Sequence, residues 1–136
     1  MRRGFTLTEM LIAVVIVAIL AAVAIPQYGR ATERANWRAA VDSLQTIYAG
    51  EQVYRSMNNT YLDPSTTTCP ADLTLPGWGC LYMDDPATGT PVAYTFSNMG
   101  AATFTATATR NGGPCGNWNR TMQHDKGGTW TQATPC

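Results

Sequence analysis

The residues of this chain best suited to chemistry are gathered in its first nine positions. Arg2-Arg3-Gly4-Phe5 offers a peptide bond at which hydrolysis would free a new α-amino cation on Phe5. Glu9 stands four residues beyond that amine and heads sixteen uncharged, almost wholly apolar residues, Met10 to Ile25. An unpaired acid in a membrane helix costs about 2.5–3.5 kcal/mol even on a lenient insertion scale. Such a carboxylate calls for a cation, and an amine freed on a neighbouring copy would supply it. The chemistry implied is one proteolytic cut followed by electrostatic docking.

The element that must position this pair is a membrane helix. Arg2 and Arg3 precede the apolar run and no basic residue follows until Arg30, so the positive-inside bias keeps the N-terminus cytoplasmic. Two plainer readings use the same residues. Thr6-x-x-Glu9 has the form of a capping box, which would make Glu9 a local helix-end residue. The arginines, the apolar core and Ala22-Val23-Ala24 also fit a secretory signal, whose removal would release a soluble, disulfide-stapled binding domain starting at Ile25.

Arg3-Gly4-Phe5-Thr6-Leu7-Thr8-Glu9 and the apolar run resemble the N-terminus of the type IV pilin family, which includes the pseudopilins of type II secretion. The resemblance is specific over residues 2 to 26, weakens to a pattern as far as Tyr61, and beyond that is one of architecture. It implies that residues 1–4 are a leader, cut after Gly4 by a prepilin peptidase that methylates the amine of Phe5. It implies that Glu9 guides docking onto identical or related subunits at a pilus assembly platform. The precursor would wait in the bacterial inner membrane. The product would be a surface filament for adhesion, motility or DNA uptake, or a periplasmic pseudopilus.

The helix is expected to outrun the membrane. Residues 5–26 form its apolar half and 27–58 an amphipathic half, rich in Ala, Arg, Glu, Gln and Leu. Trp37, Val41, Leu44 and Tyr48 recur at i, i+4, i+7 and i+11, widened by Ala40, Ile47 and Tyr54. Arg34, Arg38, Asp42 and Glu51 lie largely off that stripe. Asn58-Asn59 supplies residues tolerant of the left-handed conformation that ends helices. Pro26, at the seam of the two halves, predicts a kink because it lacks an N–H and crowds the preceding turn.

Residues 59–136 read as a globular head, so the fold class is α+β: a long helix carrying three or four antiparallel strands. A loop region is expected over 62–91, punctuated by Asp63-Pro64, Pro76-Gly77 and Asp85-Pro86. Val92, Tyr94 and Phe96 then alternate with smaller residues, as do Phe104, Ala106 and Ala108 with threonines. Weaker strands are expected at Trp118–Gln123 and Thr129–Gln132. Cys69, Cys80, Cys115 and Cys136 allow three pairings, of which Cys69–Cys80 with Cys115–Cys136 is favoured, and disulfides require a compartment outside the cytoplasm. The Cys115–Cys136 segment resembles the disulfide-bounded, surface-exposed region of pilins.

Composition excludes several function classes. Nine Lys/Arg balance nine Asp/Glu, and loss of Arg2 and Arg3 leaves a mildly acidic chain unsuited to bulk nucleic-acid binding. Trp118, Arg120, His124, Lys126 and Trp130 interleave aromatics with cations and form the one candidate nucleic-acid surface. Asp84-Asp85-Pro86-Ala87-Thr88-Gly89 reads as a turn, with Ca²⁺ as the sharper alternative. With one histidine, no nucleophile elbow and no phosphate-cradling glycine motif, neither an enzyme, a cofactor nor a metal centre is expected.

Overall fold

The computed structural model describes residues 5–65, 68–69, 72–97, 99–123 and 129–132. Its spine is α1, Leu7–Asn58, a helix of 52 residues that at about 1.5 Å per residue runs nearly 80 Å. Pro26 lies inside it and the helix continues through that position. At the far end Asn59 takes the left-handed conformation, φ 56°, and its N–H bonds back to the Arg55 carbonyl. The asparagine pair thus terminates the helix as its backbone tolerance predicts.

The two halves of α1 differ in what covers them. Every large apolar side chain from Phe5 to Ile25 is exposed, whereas the second half buries Ala40, Leu44, Ile47 and Tyr54. The stripe expected from spacing is rotated slightly: Trp37, Val41 and Tyr48 are only partly covered. Glu51, expected off the packing face, is completely buried, and Glu33 is 1% exposed. Glu33 is held by partners far along the chain and Glu51 by the Leu62 N–H just past the helix end, which reverses the usual preference of charge for water.

Against this half lies a four-stranded antiparallel meander: β3 (Val92–Ser97), β4 (Thr105–Gly113), β5 (Gly116–Gln123) and β6 (Thr129–Gln132), in sequence order. Tyr94 pairs with Ala108, which pairs with Arg120; Phe96 pairs with Ala106, which pairs with Met122. Ala106 and Ala108 are fully buried; methyl side chains at the sheet centre let it approach the helix closely. On the opposite face Thr107 and Thr121 hydroxyls bond across the strands at 3.1 Å. Thr105 departs from the expected outward threonine face and is buried. Phe104 fills the core beneath, its ring 4.8 Å from Tyr61 and 6.0 Å from Tyr48.

The region expected to be loop throughout 62–91 holds short structure: β1 (Thr68–Cys69), β2 (Asp72–Pro76) and α2 (Gly77–Cys80). The Cys69–Cys80 disulfide ties β1 to α2, and closing so short a loop stabilises by roughly 3 kcal/mol in the chain-entropy model. Trp78 of α2 is buried edge-on to Phe96, so this segment is a flap fixed to the sheet. Cys115 is disulfide-bonded; Cys136, the partner expected for it, lies outside the described residues.

Candidate functional site

At the start of α1, Thr6 is extended and caps the helix. Its hydroxyl accepts from the Glu9 N–H at 3.2 Å. Glu9 reaches back so that Oε2 accepts from both the Thr6 N–H at 2.8 Å and the Thr6 hydroxyl at 2.7 Å. The capping box is therefore real, and it satisfies two groups that a helix end leaves orphaned. It also engages only one carboxylate oxygen: Glu9 Oε1 receives no hydrogen bond among the described residues. The Thr6 N–H belongs to the Phe5–Thr6 peptide, so a cut after Gly4 would leave this cap intact. Phe5 is 81% exposed, and Gly4 lies outside the described residues.

A second polar assembly holds the head to the helix about two turns beyond Pro26. Glu33 Oε1 accepts from Trp118 Nε1 at 2.8 Å and from Arg110 Nε at 3.1 Å. The hairpin between β4 and β5 presses against the same place. Gly113 lies so close that a Cβ there would meet the Glu33 carboxylate at 2.6 Å, and Pro114 packs on Gly29. The strand register slips between Arg110 and Gly113, and Gly112 and Gly116 take positive φ. Glycines at those positions let the hairpin turn tightly enough to reach the helix.

Glu51 forms the corresponding tie at the far end. Its Oε2 accepts from the Leu62 N–H at 3.0 Å, which anchors the chain leaving α1; Oε1 meets no donor among the described residues. Burial pushes this carboxyl up to about 7, opposed by the Leu62 bond and aided by the charge of Asp63. The folded chain thus keeps a proton that the unfolded chain releases near 4.5. Stability from this group falls as pH rises from 4.5 to 7, and above that a loss of about 3 kcal/mol stands in full. Glu51→Gln keeps an acceptor for Leu62 and cannot ionise. Urea unfolding of the full chain in detergent should find the variant clearly more stable than its parent near pH 8 and equal to it near pH 4. An identical difference at both pH values would remove the assignment.

The N-terminal region matches the model of the prokaryotic N-terminal methylation motif over residues 1–25. Among curated proteins, the chain is 42% identical over 59 residues to the type IV wide pilus major component PilA4 of Thermus thermophilus. It is 38% identical over 61 residues to the type IV major pilin protein PilA of Myxococcus xanthus. It is 34% identical over 65 residues to the type II secretion system core protein G of Pectobacterium carotovorum subsp. carotovorum. In the order given, these matches cover 43%, 45% and 48% of this chain and 45%, 28% and 40% of the relatives, less than half of each. The chain is thus similar, over less than half its length, to type IV pilins and to a type II secretion core protein. No solved structure matches it.

The motif match over residues 1–25 falls on the apolar half of α1. By length and composition α1 is long and apolar enough to cross a membrane. The large apolar side chains of that half are all exposed, whereas the second half buries one face against the head. Pro26 stands at that division.

The other sites suggested by the sequence are occupied by packing. Trp118 and Arg120, the first two members of the candidate nucleic-acid surface, are 4% and 5% exposed. Trp118 is bonded to Glu33, and the Arg120 guanidinium lies 4.8 Å from the centre of the Trp37 ring. Burial draws the Arg120 pKa below its ordinary value. Neither side chain faces a surface ligand. His124 and Lys126 lie outside the described residues. Asp85 Oδ1 accepts from the Ala87 N–H at 2.9 Å, the turn expected there. Glu33 and Glu51 were the residues that spacing missed. A charge on a helix carries no local signal of burial when its partner is in another element.

Proposed function

We propose that this chain is a type IV pilin subunit, stored in the inner membrane by the apolar half of α1 and extracted into a helical surface filament. A prepilin peptidase cuts after Gly4 and methylates the Phe5 amine. Glu9 then takes the amine of an adjoining copy through its unengaged Oε1. The observation that carries this reading is the bare surface of α1. Residues 5–25 bury none of their large apolar side chains, and at about 1.5 Å each they span the ~30 Å of a bilayer core. Lipid covers that surface in the precursor. Identical neighbours cover it in the filament, with Ala13, Ala18, Ala21, Ala22 and Ala24 allowing close helix contact.

The similarity to a type II secretion core protein favours one second reading, a pseudopilin building a short periplasmic fibre that pushes secreted proteins. Intact-mass and N-terminal sequencing of the mature chain, with immuno-electron microscopy of sheared surface material, tests both. A start at methylated Phe5 with labelled surface fibres supports the pilin. The same start with periplasmic label alone supports the pseudopilin. A start at Ile25 marks a released soluble domain and removes both. Adhesion, motility and DNA uptake are the uses open to such a fibre.

A further inference from the structure

The exposed face of α1 beyond the membrane carries a row of cations. Arg30, Arg34 and Arg38 follow one another at i, i+4 and i+8 and are all exposed. Successive members rise about 6 Å and stay on one side of the helix. Arg30 and Arg38 form no ion pair among the described residues. Glu33 is turned inward and committed to Arg110 and Trp118. Asp42 follows Arg38 by one turn, in the less favourable order for a helical pair. Arg30 and Arg38 are thus exposed and open to a partner outside the subunit.

The head supplies acids to match Arg30 and Arg38 at a different height. Asp84 and Asp85 are exposed and form no ion pair among the described residues. Leu81 packs on Gly50 of α1. Tyr94 bonds to Ser43 and is near enough to Asp85 to feel its charge. The acid pair therefore stands between the levels of residues 43 and 50, while the arginine row is centred on residue 34. That offset is about 20 Å along the helix, beyond the reach of any side chain in the same molecule. Two parallel copies staggered by such a distance would bring the acids of one opposite the row of the other. Lipid phosphates fit the row less well. The headgroup layer is only ~5–8 Å deep, whereas Arg38 lies about 20 Å past Ile25.

We propose that Arg30 and Arg38 of one copy pair with Asp84 and Asp85 of a second, axially staggered copy. The seam ties the helix of one subunit to the head of another, beyond the apolar core. It rests on the reading of the chain as a filament subunit. Each pair is worth little alone, but the contact repeats with every subunit added.

Charge reversal tests it in the full chain expressed in a piliated host, with sheared filament yield as the readout and unfolding of each purified variant as the folding control. R30E/R38E and D84K/D85K should each lower yield by at least about tenfold, because like charges then face each other. The combined four-site variant should recover most of the parent's yield. Normal yield from either reversal, or no recovery in the combination, overturns the seam. So does a defect of R30E/R38E seen only as weaker retention on phosphatidylglycerol vesicles, which would assign the row to lipid. A parent chain that forms no filament overturns the underlying reading itself, and is thereby distinguished from failure of the seam alone.

Discussion

A chain carrying Glu9→Val is expected to enter the membrane normally and to be missing from assembled filaments. Insertion should improve, because the substitution removes a residue that costs about 2.5–3.5 kcal/mol at bilayer depth. Incorporation should fall at least about tenfold, because the amine of the neighbouring Phe5 would be buried without its counter-ion. The capping box makes a sharper comparison available. Thr6→Ala removes the hydroxyl that bonds Glu9 but leaves the carboxylate, so it should cost only ~0.5–2 kcal/mol of local helix stability. Glu9→Val and Thr6→Ala therefore separate the two roles of the carboxylate. Sheared-filament yields that fall equally in both variants would assign Glu9 to capping alone. Normal yield from Glu9→Val would remove the electrostatic role.

What could be read from sequence was whatever is decided within a few residues. Asn59 ends α1 because its own backbone tolerates φ 56°. The Ala106 and Ala108 alternation marks the inner face of β4 because side chains in a strand alternate by geometry. Gly4, Phe5 and Glu9 stand out for the same reason, as parts of one short local string, and the motif match over residues 1–25 spans them. The acids at 33 and 51 were not. The partners of Glu33 lie 77 and 85 residues away, so its spacing on α1 marks it for water until the hairpin is placed. The segment 68–80 was read as loop because its strands are short and rich in proline and threonine. Its order comes from the Cys69–Cys80 bond and from Trp78 packing on Phe96, both contacts made across elements.

The two buried acids divide the head into an upper and a lower attachment. Glu51 holds the chain leaving α1 at the top, while Glu33 fixes the β4–β5 hairpin near the bottom. Between them the contact of helix and sheet is made by apolar side chains and small alanines, which set spacing but little register. The polar ties therefore decide where along α1 the sheet is seated. They also decide where above Pro26 the head first restrains α1. Those first contacts are at Gly29, which meets Pro114, and at Glu33, which holds Arg110 and Trp118.

Glu33→Ala is expected to destabilise the head by about 3–5 kcal/mol, the usual result of breaking one side of a buried pair. Two donors converge on the same oxygen, and both would be orphaned. The Trp118 indole N–H is buried and would find no acceptor, at a cost of roughly 1–3 kcal/mol. Arg110 is 18% exposed and can recover some hydration, which places the loss toward the lower end of the range. Glu33→Gln should cost less, since the amide oxygen can still accept from Trp118. A second substitution isolates the contact. Gly113→Ala alone should be destabilising, because its Cβ would stand 2.6 Å from the Glu33 carboxylate. In the Glu33→Ala background the same methyl group enters vacated space and should be nearly neutral, giving a coupling energy of ~1–3 kcal/mol. Urea unfolding of the four chains measures that cycle, and additive effects would mean the two residues do not meet. Hydrogen exchange adds the spatial readout: amides from Gln27 to residue 33 should lose protection in Glu33→Ala while those near Leu44 keep it. Unchanged exchange below Glu33 would show that the hairpin does not restrain the helix there.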